Sequence, residues 1–217
     1  MKLYRAFFEK KGEAAYISHL DLQRVMTRAM KRSGVPVWYT QGFNPHIYLT
    51  FALPLSLGQE GLCETMDFKC DQELESAPTA AAINRGLPAG IRILSVEEAV
   101  MKPADICLAE YEIQYTDEPK KAREAIQALA DLPQVVVEKK NKKKEIVSMD
   151  ITDYIEVRRL ESSPDVTRLF LRLPAGNTLN VNPALVCDFL ADRFGLAKHH
   201  EAITRIAAYT AQGEIFR

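Results

Sequence analysis

Two short runs near the amino terminus carry the side chains best suited to chemistry. Tyr16-Ile17-Ser18-His19-Leu20-Asp21-Leu22 sets a phenol, a hydroxyl, an imidazole and a carboxylate at what reads as a strand-to-helix junction. A histidine there can move a proton near neutral pH, with Tyr16 assisting, and this makes Tyr16 and His19 the candidate catalytic pair. The exposed N–H groups of a helix start also suit a phosphate. In the plainer reading, His19 and Tyr16 brace the turn and Asp21 caps the helix. The second run, Gln41-Gly42-Phe43-Asn44-Pro45-His46, is a turn. Phe43 can offer a stacking face to a base while Asn44 and His46 meet polar edges, or Phe43 can plug the core and Asn44 cap the turn.

A basic helix face lies between the two runs. Arg24, Arg28, Lys31 and Arg32 recur at helical spacing, as a solvated face or as a track for a phosphate backbone. The expected binding surface therefore comprises Ser18, His19, Asp21, Arg24, Arg28, Arg32, Gly42, Phe43, Asn44, Pro45 and His46. Trp38 and Tyr39 could extend its aromatic platform. Residues 139–144 hold five lysines in six positions and read as a charged hairpin tip. No metal site is expected: Glu64 and Asp67 have opposite strand parity, and His199-His200 stands without further ligands. Phosphate-loop, dinucleotide and zinc-protease signatures are missing, and no cofactor is expected.

The elements that must position these groups follow from the apolar pattern. Leu3 to Glu9 reads as a strand. Ser18 caps a helix running to about Ser33, with Leu22, Val25, Met26 and Ala29 inward and Gly34 as its stop. Short strands follow at Val37–Thr40, Ile47–Leu53 and Leu62–Cys70. A helix is expected from Ser76, as cap, to Arg85, and a strand at Ile91–Val96. This β-α-β-β-α-β order, with one extra short strand, is the ferredoxin-like plan. The plan repeats: strand 107–115, helix 118–130, strands near 134–138, 145–149, 154–158 and 166–173, a helix capped by Asn182 with Pro183 in its first turn, and a strand at 203–209. The fold class is α+β, as two tandem ferredoxin-like halves dividing into 1–102 and 103–217.

The composition sets limits. With 217 residues, 47% hydrophobic, the chain can bury a core without disulfides. A net charge of −1 argues against a general nucleic-acid coat, yet residues 10–46 carry six Lys/Arg against two acids. The four cysteines, Cys63, Cys70, Cys107 and Cys187, form no C-x-x-C pair and read as buried thiols in a reducing compartment. No apolar run approaches a membrane span and no signal peptide is evident, so a cytoplasmic location with no membrane partner is expected.

The two runs, together with Arg28-Ala29-Met30-Lys31-Arg32-Ser33-Gly34 and Phe51-Ala52-Leu53-Pro54-Leu55-Ser56-Leu57-Gly58, resemble the bacterial radical SAM-linked protein family. That is an uncharacterised domain family, fused to or encoded beside a radical SAM enzyme. The resemblance implies such an enzyme as partner. Neighbouring genes in that family, for a ribonuclease and ribosomal proteins, imply work on RNA or the ribosome. The cysteines are too scattered to hold the radical enzyme's iron–sulfur cluster, so this chain would be the companion. A second resemblance is of fold only, to the repeat-processing endoribonucleases of CRISPR systems. Their carboxy-terminal glycine-rich loop is missing, since only Gly195 and Gly213 stand in that region. Three functions follow as expectations: an accessory RNA-binding or substrate-presenting partner of a radical SAM enzyme, a metal-independent endoribonuclease using His19, or a protein-only adaptor docking the radical enzyme.

Overall fold

The computed structural model describes residues 1–140, 145–199 and 201–217, and the protein is α+β. It divides into two compact units, Met1–Ile106 with Tyr209–Arg217, and Cys107–Ala208. The first unit thus reaches past residue 102, where the sequence places the division, and takes the last nine residues as well. Of the expected hairpin tip at 139–144, Lys139 and Lys140 are strand, and residues 141–144, like His200, lie outside the described residues.

In the first unit the order is β1 (Lys2–Lys10), α1 (His19–Ser33), β2 (Leu49–Phe51), β3 (Glu60–Cys70), α2 (Ser76–Asn84) and β4 (Ile91–Glu98). The sheet order is β4-β1-β3-β2, and each neighbour pair is antiparallel. Strand alternation explains the core. Tyr4, Ala6 and Phe8 of β1 face inward and meet Leu22, Met26, Ala29 and Met30 of α1, together with Met66 and Phe68 of β3. Val25 is only half-buried whereas Met30 is fully buried, so the helix stripe turns slightly from the expected one toward Met30. Gly86, after α2, comes so close to α1 that a Cβ would stand 3.0 Å from the Ala29 Cα, which allows the two helices their contact.

Three local expectations are corrected. Val37–Thr40 forms no strand; it contributes only the isolated bridges Val37↔Cys70 and Tyr39↔Ile47. Proline at 36 and the turn at 42–45 leave too few consecutive donors to extend a ladder. The expected strand at 47–53 contracts to β2 for the same reason. Ser76 does not cap α2: Glu75 holds that position without a side-chain bond, and the Ser76 hydroxyl instead accepts from Val96 N–H at 3.1 Å.

In the second unit the order is β5 (Ile106–Tyr115), α3 (Pro119–Leu129), β6 (Val136–Lys140), β7 (Ile146–Asp150), β8 (Glu156–Ser162), β9 (Thr167–Pro174), α4 (Pro183–Phe194) and β10 (Ala202–Thr210). Its sheet runs β10-β5-β9-β8, while β6 and β7 form a separate antiparallel pair. Asn182 caps α4 as expected, accepting from Ala184 N–H at 3.1 Å.

None of the four cysteines forms a disulfide. Cys70 and Cys187 are buried, whereas Cys63 is half-buried and Cys107 is exposed, against the expectation of four buried thiols. Burial pushes the Cys187 thiol well up, and burial likewise pushes up the Tyr115 phenol beside it. The Tyr115 hydroxyl finds no hydrogen-bond partner of normal geometry among the described residues. Because the thiolate is the nucleophile, iodoacetamide is expected to label Cys107 first and to spare Cys187 until the chain unfolds. Timed quenching with peptide mass mapping checks the order, and early labelling of Cys187 would contradict it.

Candidate nucleic-acid interface

The site begins where a buried lysine shapes the entry to α1. Lys10 is 2% exposed, and its ammonium donates to the carbonyls of Ala15 at 3.1 Å and Ile17 at 3.3 Å. Those bonds hold the 3-10 turn Gly12–Tyr16 against β1 and deliver Ser18 to the cap position. Ser18 Oγ accepts from Asp21 N–H at 3.1 Å and donates to Asp21 Oδ2 at 2.7 Å. Hydrogen bonds from Ser18, then from Arg24, hold the Asp21 carboxyl below its usual range. Gly34, at φ 78°, ends the helix in the left-handed region.

From this start α1 presents its polar side to a groove of about 600 Å³, walled by Gln23, Arg24, Thr27, Arg28 and Lys31 on one side and by His46, Ile47, Tyr48 and Leu49 on the other. Arg24, Arg28 and Lys31 fall at i, i+4 and i+7 and therefore lie along one stripe. Arg24 pairs with Asp21 at 2.9 Å, so its charge is shared. Among the described residues Arg28 and Lys31 make no ion pair, and no carboxylate lines the groove. The groove is consequently a concave, positively charged surface.

Its far wall is built by the glycine-led turn. Thr40 N–H donates to the His46 carbonyl at 2.8 Å, and His46 N–H donates to Thr40 Oγ1 at 3.1 Å. These two bonds close the loop at its base. Gly42, at φ 130°, takes a backbone conformation closed to other residues, and Phe43 at the tip is fully exposed. Behind the groove Lys69 lies over the rings of Tyr48, at 4.6 Å, and Trp38, at 5.2 Å, which fixes both aromatics by cation–π contact.

The expected site residues thus separate into groups. Arg24, Arg28 and His46 line one groove. Gly42, Phe43, Asn44 and Pro45 form the exposed turn that leads into it. Ser18 and Asp21 act at the helix cap. His19 is half-buried, with its ring edge-on to Phe51 at 5.1 Å, and Tyr16 is exposed beside Gly58; neither lines the groove. Arg32 leaves the stripe, and its guanidinium donates to the Gly86 carbonyl at 2.8 Å. Helical rotation explains this, since i+8 lies about 80° round from Arg24, toward α2. Gln23, Thr27, Tyr48 and Leu49 join the lining without having stood out in the sequence. The i−1 and i+3 neighbours of Arg24 could have been read from helical geometry, but Tyr48 and Leu49 could not. No cluster of three or more metal-ligating side chains occurs among the described residues, and no described helix is long and apolar enough to cross a membrane.

A family model described as an uncharacterized protein conserved in bacteria (DUF2344) matches residues 3–183. No curated protein matches the chain. Among solved structures, a chain of a Cbf5-Nop10-Gar1 complex is similar with 11% identity and a TM-score of 0.49 over 94% of this chain. The match covers 48% of that chain, so this protein spans about half its length. An unknown protein from Galdieria sulphuraria is similar with 13% identity and a TM-score of 0.27, over 94% of this chain and 96% of its own. Likenesses this loose assign no function.

Proposed function

We propose, from the premise that the chain belongs to the bacterial DUF2344 family, that it is an accessory RNA-binding protein acting beside a radical SAM enzyme. The observation that carries the RNA part is the groove: three cations in one stripe of α1, facing a wall that holds His46, with the exposed Phe43 on the adjoining turn. Arginine and lysine at that spacing match a run of phosphates, and an exposed aromatic suits an unpaired base. The radical enzyme as partner rests on the motif resemblance alone. The strand orders β4-β1-β3-β2 and β10-β5-β9-β8 support reading each unit as ferredoxin-like, and with it the fold-level kinship to CRISPR repeat-processing nucleases.

Fluorescence anisotropy with single-stranded RNA over a salt series tests the binding role. Micromolar or tighter binding that weakens steeply with salt supports it, and its absence at low salt rejects it. The ribonuclease reading is less well supported, because His19 packs on Phe51 rather than lining the groove. With structured RNA in excess chelator, no cleavage is expected. Cleavage that disappears in His19→Ala would replace the accessory role with catalysis. Copurification with a radical SAM enzyme, without nucleic-acid absorbance, would instead favour the protein-only adaptor.

A further inference from the structure

We propose that the groove distinguishes RNA from DNA, with His46 Nε2 accepting a hydrogen bond from a ribose 2′-hydroxyl. This rests on the RNA-binding reading and adds what phosphate contacts cannot supply, a means of telling the two sugars apart.

His46 Nδ1 lies 3.1 Å from the Asn44 carbonyl oxygen and 3.0 Å from Thr40 Oγ1. A carbonyl can only accept. The Thr40 hydroxyl oxygen already accepts from His46 N–H at 3.1 Å and can take a second donor. A proton on Nδ1 satisfies both oxygens, whereas a lone pair there would oppose the carbonyl. In the neutral ring the loop therefore selects the tautomer protonated at Nδ1, which leaves the lone pair on Nε2. Loop closure at Thr40 and His46 fixes the ring's position as well as its tautomer.

The other residues lining the groove give that lone pair a meaning. Arg24, Arg28 and Lys31 offer donors only, which match phosphate oxygens. An acceptor set opposite them has no use for phosphate. Along a sugar–phosphate chain the internal group that donates is the 2′-hydroxyl, and DNA lacks it. Thr27 adds lone pairs on the helix side, because its hydroxyl proton goes to the Gln23 carbonyl at 2.7 Å. The groove thus pairs a donor stripe with acceptors, as a ribose-phosphate chain requires.

The test uses the full chain and three fluorescein-labelled probes of about 12 nucleotides: oligouridylate, oligodeoxyuridylate and 2′-O-methyl oligouridylate. The methylated probe keeps the 2′-oxygen but cannot donate. Oligouridylate is expected to bind about fivefold tighter than either of the others, the worth of one neutral hydrogen bond. In His46→Asn, which keeps a donor near the Nδ1 position and removes the ε acceptor, this ratio falls to about one. In His46→Gln, which places a carbonyl near the ε position, the ratio recovers. Thermal melting of both variants confirms that they fold. Equal affinity of the wild-type chain for all three probes overturns the proposal while leaving the phosphate groove standing. An RNA preference that survives in folded His46→Asn also overturns it. Binding to none of the probes overturns both this proposal and the function beneath it.

Discussion

The double variant Arg24→Ala/Arg28→Ala is expected to bind single-stranded RNA about 30-fold more weakly at low salt, a loss of about 2 kcal/mol. Contacts of exposed arginines to phosphate are each worth about 1 kcal/mol, less than a buried charge-assisted bond, because water and salt screen them. The same variant should reduce the salt slope by about 0.7 for each phosphate contact removed from a single strand. The two arginines will not contribute equally. Arg24 spends part of its charge on Asp21, whereas Arg28 makes no ion pair among the described residues, so Arg28→Ala should cost more than Arg24→Ala.

Arg32→Ala is the internal control. Its guanidinium is directed to the Gly86 carbonyl, so its removal should loosen the α1–α2 contact slightly and leave RNA affinity and salt slope in place. A diffuse electrostatic attraction would respond to all three arginines alike. Equal losses in Arg32→Ala and Arg28→Ala would therefore reject a defined groove, and an unaltered slope in the double variant would reject phosphate contact on this face altogether.

What could be read from sequence divides according to the range of the interaction. The first helix was legible because its start and stop are local: Ser18 bonds three residues ahead, and Gly34 adopts a conformation that few other residues tolerate. The cation stripe was legible for the same reason, since 3.6 residues per turn aligns positions 24, 28 and 31 whatever surrounds them. That His46 stands opposite this stripe became clear only when β2 paired with β3 and fixed where the turn's second arm runs. That Arg32 turns away from the groove to the Gly86 carbonyl could not be read, because its rotational offset matters only once α2 offers it that acceptor. Ser76 failed as a cap through competition: a serine near a helix start can serve its own helix or a neighbouring strand, and Val96 N–H lies within reach. Phe43 is exposed and does not plug the core, an outcome that depends on distant packing and so is not legible in the turn itself.

A buried ion pair was wholly hidden, and removing half of it should have the largest effect on stability. Arg5 and Asp67 stand directly opposite one another in the β1–β3 ladder, 0% and 2% exposed. The guanidinium grips the carboxylate with two bonds of 2.7 Å, donates to the backbone oxygens of Met101 at 2.9 Å and Arg217 at 3.1 Å, and lies 4.3 Å from the Phe216 ring. One side chain thus ties the central strands of the first unit to its last residues. In Asp67→Ala the cation stays buried without its counterion, which should cost about 4 kcal/mol and lower the melting temperature by about 10 °C in a chain of this length. Replacing both partners with apolar groups, as in Arg5→Met/Asp67→Leu, leaves no stranded charge at the position of the pair. It should recover much of the loss, although the backbone oxygens of Met101 and Arg217 then lose their donor. Circular dichroism melts of the two variants decide the matter. If the double variant falls as far as Asp67→Ala, the penalty comes from lost packing of the terminal segment. If Asp67→Ala melts within a degree or two of the wild type, the pair does not organise the unit, and its burial is incidental to how the unit holds Phe216 and Arg217.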